Sequence, residues 1–221
     1  MRTVVFDLDG TLADTSGDLI AAANACFRAM GVGDQLDASQ DAATALRGGR
    51  AMLTLGLSRL GRGDDVEEID RQYPLLLEHY AQAIDHHTVF YPGAIDAVKA
   101  LRTNGYKVAV CTNKPEHLAR MLLENLEVHD HFDALIGADT LPARKPDPGP
   151  YYAAVERSGG DVTKSVMIGD TQTDHDTARA AGVASVLVTF GPGAFDVSSL
   201  EPDALLSHFD DLHGVVVELI G

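Results

Sequence analysis

Asp7-Leu8-Asp9-Gly10-Thr11 follows directly on the β-branched and aromatic run Thr3-Val4-Val5-Phe6. Two carboxylates two residues apart, with a glycine and a hydroxyl behind them, can do covalent and acid–base work. One carboxylate is a competent nucleophile toward phosphorus. A second, two residues on, can protonate a leaving oxygen and later activate water. Other polar groups recur behind other apolar runs. Thr112-Asn113-Lys114 follows Tyr106–Cys111, Asp139 follows Ala134–Gly137, and Gly169-Asp170-Thr171, with Asp174 beyond, follows Ser165–Ile168. Lys145 stands in the loop Arg144-Lys145-Pro146-Asp147-Pro148. A threonine hydroxyl, backbone N–H groups and a lysine point charge can hold the equatorial oxygens of a phosphoryl group, where transition-state charge is spread. Carboxylates facing each other from different strands repel unless a cation lies between them, and oxygen ligands of this kind suit Mg²⁺. Such a cation would neutralise a phosphate dianion and let it approach an anionic nucleophile.

Each group also has an ordinary structural reading. Asp and Gly favour turns, Thr11 or Thr112 can cap a helix, and Asp170 with Asp174 fits an N-cap and a first-turn acid favoured by the helix dipole. A loop lysine is usually solvated. What these readings do not explain is the order, in which each group follows its own strand.

The elements that must position these groups are legible from hydrophobic periodicity. Thr3–Asp7 reads as a buried strand. Leu12–Met30 carries apolar residues at helical spacing, with Gly31 as a stop. From about Ser39 to His86 only helical patterns occur, over Ala42–Leu46, Met52–Leu60 and Val66–Ile84, broken at Gly48-Gly49 and Gly61-Arg62-Gly63. Beyond Tyr91-Pro92-Gly93 helix and strand alternate. Helices are expected at Pro92–Leu101, Pro115–Leu126, Pro148–Ser158, Thr173–Ala181 and Leu212–Ile220, and strands at Tyr106–Cys111, Ala134–Gly137, Ser165–Ile168 and Ala184–Val188. Alternation of this kind implies βαβ units. The predicted fold class is therefore α/β: a doubly wound parallel sheet, a Rossmann-like core of residues 1–13 plus 90–221, with an inserted α-helical cap domain at 14–89. In such sheets ligands bind outside the carboxyl ends of the strands, at a switch in strand order.

Composition narrows the function classes. The chain has 221 residues, 45% hydrophobic and 23% charged, enough for a real core. Its net charge of −16 argues against nucleic acid or an anionic membrane as the main partner. No apolar run approaches the ~20 residues of a membrane span, and the N-terminal segment meets an acid too early for a signal peptide. Cys26 and Cys111 have no CxxC spacing, so neither a disulfide framework nor a zinc site is indicated. A cytoplasmic location follows as the expectation, with a small phosphorylated metabolite as partner and a monomer or homodimer as the assembly.

Taken in order, Asp7-x-Asp9-Gly10-Thr11, Thr112, Lys145 in its Arg-Lys-Pro-x-Pro loop and Gly169-Asp170-Thr171 with Asp174 resemble the four signatures of the haloacid dehalogenase-like hydrolase superfamily. With the helical insert, the resemblance covers essentially the whole chain. The insert position is similar to the small-helical-cap branch, which holds phosphoglycolate phosphatases and β-phosphoglucomutases. The resemblance implies that Asp7 attacks phosphorus to give an aspartyl-phosphate and that Asp9 acts as acid, then base, while its backbone carbonyl contacts Mg²⁺. It further implies Asp7 and Asp170 as metal ligands, with Asp174 holding the metal's water or Lys145. Gly10, Thr112, Asn113 and Lys145 would surround the phosphoryl group. Family dehalogenases lack the second aspartate, so Asp9 favours phosphoryl transfer.

Within the insert, Leu46-Arg47-Gly48-Gly49-Arg50 is the segment with chemical character. A glycine pair lets backbone approach a ligand, and Arg47 or Arg50 could pair with a substrate carboxylate, which would make phosphoglycolate the natural substrate. Alternatively the glycines only separate two helices and the arginines face solvent. His79, His86 and His87 read as surface or hinge residues, His175 and Asp176 as part of a first helical turn, and Cys111 as core. Gly191-Pro192-Gly193 reads as a loop after the last strand. Two other functions share the chemistry: a phosphosugar mutase, and a receiver-like phospho-acceptor domain. In the latter fold the accepting aspartate follows a middle strand and no cap is present.

Overall fold

The computed structural model describes residues 1–192 and 197–221. They form two compact units, one of Met1–Ala13 with Phe90–Gly221 and one of Asp14–Val89.

The first unit is a Rossmann-like α/β fold. Its six strands are β1 (Thr3–Phe6), β4 (Lys107–Cys111), β5 (Ala134–Ile136), β6 (Ser165–Gly169), β7 (Ala184–Val188) and β8 (Ala204–Leu206). They pair in the order β5-β4-β1-β6-β7-β8, every pair parallel. β1 is central and fully buried, which is why its sequence is continuously apolar after Thr3 instead of alternating. One face carries Val5, Ala109, Cys111, Ile136 and Met167, packed by Tyr151, Ala154 and Val155 of α7 (Gly149–Arg157) and Ala178 of α8 (Gln172–Ala181). Residues of opposite parity, among them Val4, Phe6, Val110 and Ile168, are equally buried. The helices α5 (Ala94–Thr103) and α9 (Leu212–Ile220) lie against β4 and β6 and against each other, and α6 (Glu116–Asn125) packs on β5. From β1 the chain passes to β4 and β5 on one side, then returns to β6, β7 and β8 on the other. The reversal at β1 is the switch in strand order.

The second unit is helical. It contains α1 (Ser16–Ala29), α2 (Ala42–Ala45), α3 (Gly49–Arg59) and α4 (Val66–Gln82). Its core includes Phe27, Met52, Leu53, Leu57, Leu76 and Tyr80. The unit boundary falls inside two short strands, β2 (Ala13–Asp14) and β3 (Val89–Phe90), which pair with each other. Near this boundary the buried Asp18 carboxylate accepts from the backbone N–H groups of His87 and Thr88 and from the Thr88 hydroxyl.

From Ala94 to Val188 the strands and helices lie within two residues of their predicted bounds. Elsewhere α3 begins at Gly49, three residues ahead of the expected Met52, and three further places differ. Residues 12–15 are not helical. Gly10 takes φ 82°, and Leu12 and Ala13 both donate to the carbonyl of Leu8, closing a tight turn before β2. The helix waits for Asp14, whose Oδ1 accepts from the N–H and hydroxyl of Ser16. The insert is bounded by strand pairing, which two-residue strands do not announce in a sequence. β8 was not expected either, because Ala204-Leu205-Leu206 is too short to show a period. The loop read at 191–193 thus precedes one more strand, and its Gly193 lies outside the described residues. Among the described residues no helix is long and apolar enough to cross a membrane.

Candidate active site

Parallel register sets the site. Phe6 is level with Val110 on one side and Ile168 on the other, so the residues that leave β1, β4 and β6 emerge together. The N–H of Asp7 donates to Ile168 O at 2.9 Å and that of Thr112 to Ile136 O at 2.9 Å, carrying the ladder one step past the strands. The left-handed turn at Gly10, strained for any side-chain-bearing residue, brings Thr11 round so that its hydroxyl donates to Asp170 Oδ1 at 2.9 Å.

Lys145 is the hub. Its Nζ donates to Asp174 Oδ1 at 2.6 Å and lies 3.0 Å from Asp7 Oδ1. The second contact is an ion pair that pulls the Asp7 carboxyl down. Asp174 Oδ2 accepts from the N–H groups of Asp170 and Thr171 and from the Thr171 hydroxyl, so the capping box that starts α8 also fixes this carboxylate. Gly169 makes this approach feasible. A Cβ there would sit 2.2 Å from Asp174 Cβ. Asn113 braces the other side, its amide donating to the Lys145 carbonyl at 3.0 Å. Thr112 Oγ1 accepts from the N–H of Lys114 at 3.1 Å.

Burial and repulsion dominate the electrostatics. Burial pushes the Asp7 carboxyl up to about 7, against the pull of Lys145 and with help from Asp174 and Asp9. Asp170 is raised well above the ordinary carboxylate range by burial, then by Asp174 and Asp7. Burial disfavours the Lys145 ammonium, but Asp174 and Asp7 overcome it and its pKa is raised. Lys145 is therefore a fixed cation. Burial pushes the Cys111 thiol up to about 12, which makes it core and not a nucleophile.

Asp7, Asp170 and Asp174 each bring an oxygen within 4.8 Å of the others. Three carboxylates against one ammonium leave two uncompensated negative charges. Hard oxygen ligands with that deficit fit a divalent cation. The hydrogen-bond inventory divides the labour: both oxygens of Asp174 are engaged, whereas Asp7 and Asp170 retain acceptor capacity.

The first unit thus gathers Asp7, Asp9, Gly10, Thr112, Asn113, Lys145, Asp170 and Asp174 at one sheet edge. Sequence reading gave Lys114 no role, yet its Nζ pairs with Asp9 Oδ1 at 2.6 Å. Its place one step beyond Asn113 at a strand end was the available signal. Arg47 and Arg50 belong to the helical unit. Arg50 pairs with Asp70 at 2.7 Å and lies 4.9 Å over the Tyr73 ring, while Arg47 is exposed and has no ion pair among the described residues. Gly48 takes φ 97° as the N-cap of α3, and a Cβ on Gly49 would press on Tyr73 and Leu76 at 3.1 Å. Helix packing within the unit therefore accounts for the glycine pair. His175 is buried in the first turn of α8, its Nδ1 3.1 Å from Ser185 Oγ.

Residues 4–188 match the haloacid dehalogenase-like hydrolase family. The phosphoglycolate phosphatase of Mesorhizobium japonicum is 41% identical over 95% of this chain and 92% of its own, and that of Caulobacter vibrioides 37% identical over 99% and 92%. A solved structure from Haemophilus somnus, described as a predicted phosphoglycolate phosphatase, superposes with a TM-score of 0.83 at 23% identity, covering 97% of each chain. A register that converges carboxylates and a buried lysine at the switch in strand order, together with these matches, shows that the chain belongs to the haloacid dehalogenase-like hydrolases and is a phosphatase of that family.

Proposed function

We propose that the chain is a Mg²⁺-dependent phosphatase that acts on a small phosphorylated metabolite through an aspartyl-phosphate on Asp7, with phosphoglycolate as the substrate. The observation that carries this reading is the Asp7–Lys145–Asp174 bridge beside Asp170, one buried ammonium shared by two carboxylates with a third close enough to share a cation. Asp7 and Asp170 would hold the cation directly, with the Asp9 carbonyl. Asp174 supports them through Lys145 and the N–H of Asp170. When bound, Mg²⁺ supplies the charge that lets a dianion meet an anionic nucleophile.

In the first step an Asp7 oxygen attacks phosphorus, the bond to the leaving oxygen breaks, and Asp9 delivers a proton to that oxygen. In the second, Asp9 takes a proton from water, the water oxygen attacks phosphorus, the Asp7–phosphorus bond breaks and inorganic phosphate leaves. Lys145 and the hydroxyl of Thr112 steady the phosphoryl oxygens throughout.

Phosphoglycolate is favoured by the names of the relatives and by Arg47, an exposed guanidinium with no ion pair among the described residues, which suits a substrate carboxylate. The test is phosphate release from a panel of phosphorylated metabolites with Mg²⁺, comparing wild type with Asp7→Asn. Stoichiometric inorganic phosphate also separates hydrolysis from transfer back to a sugar. No Mg²⁺-dependent release from any of them, or full activity in the variant, would defeat the proposal.

A further inference from the structure

Among the described residues only two lysines are buried, Lys145 and Lys114. The chemistry above uses the first and leaves the second idle. Burying a lysine side chain costs rotamer freedom and hydration, and a lysine without a task would extend its ammonium to water. Lys114 does the opposite. Its side chain is 4% exposed and its Nζ reaches Asp9 Oδ1 at 2.6 Å. The backbone on both sides is fixed: β1 and β4 are in register up to Phe6 and Val110, and the N–H of Lys114 is tied to Thr112 Oγ1. Asp9 itself lies past the end of β1, in the turn made by Gly10, where its backbone bridges to Ala13.

We infer that Lys114 is the positioning residue of the acid/base carboxylate, an anchor that holds Asp9 in one orientation beside Asp7 and acts through it. The inference rests on the reading of Asp9 as acid and base. Under that reading Asp9 serves twice, protonating the leaving oxygen and then deprotonating water. Nitrophenolate leaves without a proton, so an aryl phosphate spares the first duty and not the second. Loss of the anchor should therefore leave phosphorylation of Asp7 by p-nitrophenyl phosphate fast and slow its hydrolysis. With phosphoglycolate both steps should slow.

The experiment compares wild type, Lys114→Met, Lys114→Arg, Asp9→Ala and the Asp9→Ala/Lys114→Met double variant by rapid mixing with Mg²⁺. For Lys114→Met we expect a burst of nitrophenolate equal to the enzyme concentration, then steady turnover about a hundredfold below wild type, the size of an acid–base contribution. Phosphoglycolate consumption should be slow from the first turnover. Lys114→Arg, which keeps the charge, should recover turnover to within about tenfold of wild type. The double variant should be no slower than Asp9→Ala, because two residues acting as one unit do not add. Multiplying losses in the double variant, absence of the burst, or wild-type turnover in Lys114→Met would each overturn the inference. If Lys114→Met fails to fold because the Lys114–Asp9 pair is broken, the double variant removes both charges, and its comparison with Asp9→Ala decides alone. Asp7→Asn keeps the two ideas apart. Activity in that variant defeats the phosphatase mechanism itself, whereas an inactive Asp7→Asn beside a wild-type-like Lys114→Met defeats only the anchor.

Discussion

Replacing the proposed nucleophile should make the metal-free protein more stable. Burial and the neighbouring carboxylates lift Asp7 from its ordinary 3.8 to about 7. A rise of that size corresponds to about 4 kcal/mol of preference for the neutral form, and the side chain is too buried for solvent to screen it away. Asn is neutral at every pH and keeps the shape. In EDTA at pH 8 Asp7→Asn should therefore gain up to about 4 kcal/mol, or roughly 10 °C in Tm for a chain of this length. The sign follows from proton binding. Between 3.8 and 7 the folded wild type holds a proton that the unfolded chain has released, so its stability falls as pH rises through that window. The advantage of Asn is full above 7, about 2 kcal/mol at pH 5 and gone below 3.8. Circular-dichroism melts at several pH values read it directly. Adding Mg²⁺ should raise the wild-type Tm and narrow the difference, since ligand binding stabilises by mass action. A variant less stable than wild type in EDTA at pH 8, or a gain that does not shrink toward pH 5, would refute the reasoning.

The other predictions concern the shell around that carboxylate. Lys145→Met leaves Asp7 and Asp174 buried without their shared cation and should cost about 3–5 kcal/mol, measured by urea unfolding, with activity abolished. Gly169→Ala forces a methyl group to within 2.2 Å of Asp174 Cβ and should cost about 1–3 kcal/mol while lowering kcat, because Asp174 holds Lys145. Asn113→Ala removes one hydrogen bond to the Lys145 carbonyl; we expect about 1 kcal/mol of lost stability and a lower kcat from a loosened lysine. Arg47→Ala should raise KM for phosphoglycolate far more than for p-nitrophenyl phosphate. Arg50→Ala, whose guanidinium already has Asp70 and Tyr73, should alter neither KM and cost less than about 1 kcal/mol.

Much of this site was legible in the sequence because its positions are tied to strand ends. A β-branched run fixes where a strand stops, a parallel sheet aligns the stops, and the residue types just beyond them name the chemistry. Asp7, Thr112 and Asp170 could be found that way. What one chain position at a time could not show is who holds whom. The periodicity of α8 places Asp174 in a first turn, but not that one of its oxygens is saturated by the capping box and the other by Lys145. Asn113 reads in sequence as a phosphate ligand, and spacing alone does not show that its amide also braces the Lys145 loop. Lys114 looked like any lysine after a strand, since burial of a long side chain leaves no mark in sequence spacing. β8 was invisible for a different reason: three residues carry no period, and parallel pairing with β7 decides their state.

The charge of the whole chain and the charge of the site pull in opposite directions, and distance decides between them. At −16 the surface should repel a phosphate dianion. That repulsion is carried by exposed carboxylates, whose field fades over about 8 Å in physiological salt. Lys114 and Lys145 are buried, and no arginine is buried among the described residues. The chain therefore keeps its arginines where water weakens them and its two shielded cations where water cannot. Each of these lysines is matched to a carboxylate that the proposed chemistry uses, Lys145 to Asp7 and Lys114 to Asp9. Two lysines against four carboxylates still leave the site anionic. A divalent cation held by Asp7 and Asp170 would favour their ionised forms, against the burial and mutual repulsion that raise both pKa values.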